Sequence, residues 1–191
     1  MSVFDLLEGV YTRLRGLGPP SHEEKLVANF GPGNPSGPIM DLGGGSGAHS
    51  AFLAGQDVEN IHVVDINWSA LRRSSLHPAL HRTTARAEAL PFRNSVFRGV
   101  FLIDVLHHVA DQASALREIS RVLAAGGVTL IIEYHRTNPI VRIFSLLSVL
   151  RGKRCSFFFP AELLALARRC GLQGAIVDSD GLRFTARIEK G

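Results

Sequence analysis

Short apolar runs alternate along this chain with segments whose apolar residues recur every three or four positions. Ile39-Met40 runs into Asp41, breaks into glycines at positions 43, 44, 45 and 47, and resumes as a periodic apolar segment from Ala48 to Ala54. That order predicts strand, tight loop and helix. Ile61-His62-Val63-Val64-Asp65 predicts a second strand ending in an acid, followed by a helix near Trp68–Ser75 and a weak third strand around Arg82–Ala85. Val96 to Ile103 reads as a fourth strand. Leu116, Ile119, Val122 and Leu123 share one face of a helix over Ala113–Leu123, with Gly126-Gly127 as its stop signal and Val128–Glu133 as the fifth strand. Pro160 opens a further helix at a permitted position and Gly171 closes it. Gln173–Asp178 and Leu182–Glu189 flank Ser179-Asp180-Gly181, a hairpin signal.

Two helices are predicted ahead of the first strand. Val3, Leu6, Leu7, Val10 and Leu14 share a face over Val3–Arg15, and Gly16 to Pro20 ends that helix. Ser21 and Glu24 form a capping box for a second helix running through Phe30. Between the fifth strand and Pro160, the segment Pro139–Leu150 is apolar except for a stripe of Arg142, Ser145 and Ser148. It is too short to span a bilayer. Arg151, Lys153 and Arg154 follow it, then Phe157-Phe158-Phe159.

Composition narrows the class. At 191 residues, 46% of them apolar and 20% charged, the chain suits one globular domain. No apolar run reaches membrane-spanning length and MSVFDLLEGV lacks a signal peptide's order, so a cytoplasmic protein is expected. Cys155 and Cys170 have no metal spacing and read as thiols. The formal charge of +4 is carried by scattered arginines, with lysine only at 25, 153 and 190. A diffuse positive field of this kind favours anionic partners, but it lacks the basic stripe with aromatics of a nucleic-acid surface.

The glycine loop carries the chemistry. Glycine permits positive φ and a close backbone approach, and the following helix offers unpaired N–H groups to an anionic ligand group. Gly43-x-Gly45-x-x-Ala48, with Asp65 further on, satisfies a loose dinucleotide fingerprint. Asp41 weighs against it, because a carboxylate at the loop would repel a pyrophosphate yet favour the α-ammonium of a methionine moiety. Asp41, Gly43, Gly45 and Gly47 make the pattern D-x-G-x-G-x-G. On these residues the chain resembles the class I S-adenosylmethionine-dependent methyltransferases.

Further motifs extend the resemblance to the ubiquinone/menaquinone-methyltransferase-like branch, from Ile39 to the C-terminal hairpin. Ala85-Arg86-Ala87-Glu88-Ala89-Leu90-Pro91-Phe92 is similar to the family's GDAEALPF, Asp104-Val105-Leu106-His107-His108-Val109 to its xxLHHV, and ALREISRVLAAGG to its ALREIARVLKPGG. The resemblance implies an α/β fold: a three-layer, Rossmann-like, doubly wound sheet, mostly parallel, ending in an antiparallel hairpin. It implies an N-terminal helical cap over 1–38, a cofactor-binding core over 39–135, a lid-like insertion over 136–160 and a C-terminal helix and hairpin over 161–191. Tyr11 and His22 of the cap could face the site or simply pack on the sheet.

By the same resemblance S-adenosyl-L-methionine is the cofactor. Asp41 orders the loop and favours the ammonium, and Gly43, Gly44 and Gly45 admit the methionine part. Asp65 holds the ribose, Ile66 the adenine face, Ala87 and Glu88 the adenine edge, and Ile103 the region near sulfur. As an alternative, Asp65 caps the helix after it. Position 86 is usually acidic in this branch; here it is arginine, a donor only, so backbone near Ala87 or the Glu88 carboxylate must take the adenine contact. Arg98 likewise replaces a usual acid. His107 is the candidate general base, with a hydrogen-bonding role in the loop as the alternative.

The expected acceptor is a small molecule. The apolar insertion suggests a hydrophobic one, but the same segment could form a dimer face, rest on a membrane surface or pack in the core. Two other functions compete: an NAD(P)-dependent oxidoreductase, on the dinucleotide fingerprint, and a non-catalytic binding protein, on Arg86 and Arg98.

Overall fold

A computed structural model of the chain describes residues 22–31, 37–73, 77–150 and 155–190. The helix expected over Val3–Arg15, with Tyr11, lies outside the described residues, as do Ser75 and the basic cluster Arg151, Lys153 and Arg154. Seven strands form one sheet: β1 (Ile39–Leu42), β2 (Ile61–Asp65), β3 (Leu80–Thr84), β4 (Phe97–Ile103), β5 (Leu123–Tyr134), β6 (Leu172–Ser179) and β7 (Arg183–Lys190). Their order across the sheet is β3-β2-β1-β4-β5-β7-β6. The pairs from β3 to β5 are parallel, while β7 runs antiparallel to both β5 and β6. The order reverses between β1 and β4, which splays the loops after those strands and opens a crevice at their C-terminal ends.

Among the described residues there are six α-helices: α1 (His22–Phe30), α2 (Ala48–Ala54), α3 (Trp68–Leu71), α4 (Gln112–Val122), α5 (Pro139–Leu150) and α6 (Pro160–Arg169). Side chains alternate across each strand, so the sheet feeds two cores. Val100, Leu102 and Ile131 join Leu116, Ile119 and Val122 of α4 and Leu163 and Ala167 of α6 on one face. Phe101, Leu130 and Ile132 join Leu26 and Phe30 of α1 and Leu53 of α2 on the other. Each fully buried aliphatic side chain contributes about 1.5–3 kcal/mol. Lys25 on α1 pairs with Asp178 of β6, and its ammonium also donates to Thr185 of β7 at 3.3 Å, which ties the helix to the far edge of the sheet.

Several boundaries move from their sequence-based positions, among them the end of α3, which stops at Leu71. β3 begins at Leu80, two residues early, because Leu80 to Thr84 pair in register with Ile61 to Asp65. Helix α4 stops at Val122, and Gly126-Gly127 is no cap: Leu123 is already extended and pairs with Phe97. Gly126, at φ +69°, sits instead in the irregular stretch where the β4–β5 register shifts between Phe97 and Gly99. The hairpin forms where expected, with Asp180 Oδ1 accepting from the N–H groups of Leu182 (2.8 Å) and Arg183 (2.6 Å) and Gly181 at φ +80°.

Candidate functional site

The glycine loop is held from below and from both sides. The N–H groups of Gly43 and Gly44 donate to the Val64 carbonyl of β2 at 2.7 and 3.2 Å. Gly43 has φ +77°, and a Cβ there would lie 2.5 Å from the Val105 side chain, so the loop after β4 packs directly on it. A Cβ on Gly44 would lie 2.5 Å from the Asp41 carboxyl carbon. Asp41 therefore sits under the loop, on the sheet face that carries α2, where Ser50 Oγ donates to its Oδ2 at 2.6 Å. Only 4% of it is exposed. Burial pushes its carboxyl up to about 7, with the nearby Asp65 charge adding a smaller rise and the Ser50 bond opposing both.

Asp65 closes β2 and reaches across the loop. Its Oδ2 accepts the Gly45 N–H at 2.8 Å and its Oδ1 the Asn67 N–H at 2.7 Å. The cap of α3 is Asn67, whose side chain accepts from the Ala70 N–H at 3.2 Å, so the alternative of Asp65 as helix cap is excluded.

Beside these groups lies a crevice of about 500 Å³. Gly43, Asp65, Ile66, Ala87 and Glu88 are on its wall, and Ile66 projects into solvent there with 63% of its surface exposed. Asp41, Gly44, Gly45 and Ile103 are not on the wall. Asp41 lies beneath the loop with Gly44 directly over its carboxyl, Gly45 is tied to Asp65, and Ile103 packs toward the core on the α1 and α2 face. Arg86 also faces the crevice and pairs with Glu88 at 3.0 Å. Thus the carboxylate that was to read the adenine edge already has a partner, in an exposed pair of small worth.

Asp104 is on the wall as well, a residue that the sequence reading passed over. It adopts φ +57° and takes a bidentate contact from Arg183 of β7, Nη2 to Oδ2 at 2.8 Å and Nε to Oδ1 at 3.2 Å. Arg183 also donates to the Tyr134 hydroxyl at 2.6 Å and lies over that ring, 4.5 Å from its centre. Burial lowers the Arg183 guanidinium to about 10, which leaves it charged at neutral pH. The positive φ just after β4 was the local trace of this residue's role; its partner, 79 positions away, left none.

The two histidines separate. His107 is 4% exposed, with Nδ1 2.6 Å from Glu133 Oε2 at the end of β5 and its ring stacked on Phe157 at 4.6 Å. Glu133 Oε1 also accepts the Leu106 N–H at 2.6 Å, so the pair organises the turn after β4. His107 is off the crevice wall; His108 is on it, with Nδ1 3.4 Å from Cys155 Sγ.

The donor set fits one of the two cofactors considered. Three carboxylates, Asp65, Glu88 and Asp104, face the crevice; Arg86 pairs with Glu88 and Arg183 with Asp104, which leaves Asp65 without a cationic partner among the described residues. A pyrophosphate there would meet like charge, whereas a nucleoside carrying an ammonium and a sulfonium would not. Among the described residues no three metal-binding side chains gather.

Comparison with known proteins agrees. A family model described as a methyltransferase domain matches residues 40–131. The ubiquinone/menaquinone biosynthesis C-methyltransferase UbiE of Vibrio cholerae is 36% identical over 116 residues, covering 56% of this chain and 44% of that protein. Its namesake from Pasteurella multocida is 35% identical over 122 residues, covering 58% and 45%. The chain thus spans about half the length of the curated relatives it matches. An S-adenosylmethionine-dependent methyltransferase structure from Mesorhizobium loti superposes with a TM-score of 0.73 at 15% identity, covering 88% of this chain and 96% of that one, a likeness of fold. The match to the methyltransferase domain runs from β1 into β5, across the loop that builds the crevice, and over this stretch the chain resembles the ubiquinone/menaquinone branch of the class I S-adenosylmethionine-dependent methyltransferases.

Proposed function

We propose that this protein transfers a methyl group from S-adenosylmethionine to a hydrophobic small molecule, with carbon methylation of a quinone-type ring as the acceptor chemistry suggested by its relatives. The observation that carries the reading is the glycine loop seated on buried Asp41 and tied to Asp65 at the reversal point of the sheet. When bound, S-adenosylmethionine supplies a methyl group already activated by its sulfonium. The protein's part is to bind, orient and exclude water.

Asp65 accepts the ribose hydroxyls, exchanging them for the Gly45 N–H or sharing its oxygens with it. Asp41 supplies negative charge under the loop for the α-ammonium, and Gly43 to Gly45 give the methionine part close access to backbone. Ile66 covers one adenine face, and backbone near Ala87 or the Glu88 carboxylate, which its weak pair with Arg86 readily releases, reads the adenine edge. Ile103 brings the end of β4 toward the sulfur. The residue facing the acceptor is His108, while His107, pinned to Glu133, holds the turn that presents it. The insertion Pro139–Phe159 acts as the lid.

Titration calorimetry with S-adenosylhomocysteine tests the reading. Wild type should give a saturable heat, and Asp65→Ala should weaken binding at least tenfold, the loss of roughly 1.4 kcal/mol or more of charge-assisted hydrogen bonding, with an unchanged circular dichroism spectrum. Unaltered affinity would remove Asp65 from the site. No heat with millimolar S-adenosylmethionine or S-adenosylhomocysteine would favour the non-catalytic reading. The oxidoreductase reading has no support in the crevice's charge.

A further inference from the structure

A second cavity, of about 740 Å³, opens on the far side of His108. That volume is typical of a small-molecule site. Its walls come from α5 and from the segment Cys155–Phe159, and their apolar part includes Leu146, Phe157 and Phe159. Arg136 and Arg142 line it too, together with serine and threonine hydroxyls, and no acid does among the described residues.

The cavity is fixed relative to the cofactor crevice. Gln112 donates from one amide group to the carbonyls of Leu106 (3.0 Å) and Ser156 (2.9 Å), and the Ser156 N–H donates to the His107 carbonyl at 2.9 Å. Where the two spaces adjoin, His108 of the crevice touches Cys155 of the cavity at 3.4 Å. Phe157 stacks on His107 and so holds an aromatic face on the cavity wall.

The charges in this cavity are available. Arg136 lies over the Phe159 ring, 5.2 Å from its centre, and 3.6 Å from Glu162, with both partners of that ion pair about half exposed. Such a pair exchanges readily with a ligand. Arg142 is exposed on α5, and no carboxylate of the described residues pairs with it. Two guanidiniums over aromatic and aliphatic walls suit a flat apolar body that bears an anionic group, since arginine both stacks on rings and grips carboxylates through its planar fork.

We propose that this cavity is the acceptor site and that the acceptor is an anionic amphiphile: an aromatic or alkyl body carrying a carboxylate or similar anion that Arg136 and Arg142 recognise. The proposal rests on the methyltransferase reading for the word acceptor, and on the cavity alone for the ligand class.

Calorimetry with 2-naphthoate and 2-naphthol, a charged and a neutral probe of one shape, separates these. With the protein saturated in S-adenosylhomocysteine at pH 7.5, naphthoate should bind at least ten times more tightly than naphthol. Arg142→Gln should bring naphthoate down to the naphthol level while leaving naphthol and S-adenosylhomocysteine affinities unchanged. Arg136→Gln should act in the same direction, and Arg142→Lys should keep part of the preference. Equal affinity for the two probes, failure of naphthoate to bind at millimolar concentration, indifference to both glutamine variants, or competition between naphthoate and S-adenosylhomocysteine would each overturn the proposal. Failure of the methyltransferase reading is seen separately, as absent S-adenosylhomocysteine heat with the naphthoate preference intact.

Discussion

Asp41 is a carboxylate that the fold holds out of water between Ser50 and the glycine loop, and its protonation follows from that place. Its folded pKa, raised to about 7 chiefly by burial, lies above the ordinary aspartate value of 3.8. The folded state therefore holds the proton longer than the unfolded state does. Stability is unpenalised below the unfolded value, falls as pH rises from there, and carries the full penalty above about 7. A shift of this size is on the order of 4 kcal/mol at full ionisation, before relaxation reduces it. Asp41→Asn keeps an acceptor for Ser50 and removes the charge. Without ligand it should melt above wild type at pH 8, and the gap should shrink toward pH 5. An ammonium near the loop favours the ionised form, so S-adenosylhomocysteine should bind wild type more tightly at pH 8 than at pH 6. Proton release should be measurable near pH 7 by calorimetry in buffers of different ionisation enthalpy. A flat pH profile without proton release would separate Asp41 from the ligand.

At the scale of elements, helix α4 supports the loop that carries Ala87 and Glu88 to the crevice wall. Arg121 Nη1 donates to the Phe92 carbonyl (2.7 Å) and to Asn94 Oδ1 (2.9 Å), and Nη2 donates to the Leu90 carbonyl (2.9 Å). Glu118 Oε2 accepts the Leu90 N–H at 2.7 Å, and its other oxygen accepts Arg121 Nε at 2.6 Å. The Arg121 hydrogen bond holds the Glu118 carboxyl below its usual range, and the reciprocal bond raises Arg121. This pair stabilises the loop above the unfolded Glu value and loses that effect as acid protonates Glu118. The segment ALREISRVL serves two ends: one helix face fills the core while Glu118 and Arg121 hold the loop that carries Ala87 and Glu88. Arg121→Met should cost about 1–3 kcal/mol by leaving carbonyls unpaired. It should also speed amide exchange in residues 86–94 and weaken S-adenosylhomocysteine binding. Unchanged exchange in that loop would mean that α4 does not support it.

For the whole molecule, the two cores meet through a sheet with little room to spare. A Cβ on Gly99 of β4 would lie 2.7 Å from the Phe30 ring of α1, so glycine there lets the helix seat on the central strands. Gly99→Ala should destabilise by about 1–3 kcal/mol through overpacking, and adding Phe30→Leu should recover part of it, as read by denaturant unfolding. Additive losses would show that the two residues do not meet. The chain's own pattern determined the succession of strands and helices, the glycine loop with an acid on each side, and the closing hairpin, because periodicity, glycine and proline act over a few residues. It misplaced the start of β5, where pairing with Phe97 and Gly99 outweighed the local Gly126-Gly127 stop signal. Only the folded molecule decided that Asp41 lies beneath the loop, that His108 rather than His107 faces the crevice, and that Asp104 meets Arg183. It also joined His107 to Glu133 and set Arg136 and Arg142 around one cavity. Apart from that last pair, these placements rest on which strand lies beside which, a relation among residues far apart in the chain that no window of sequence contains.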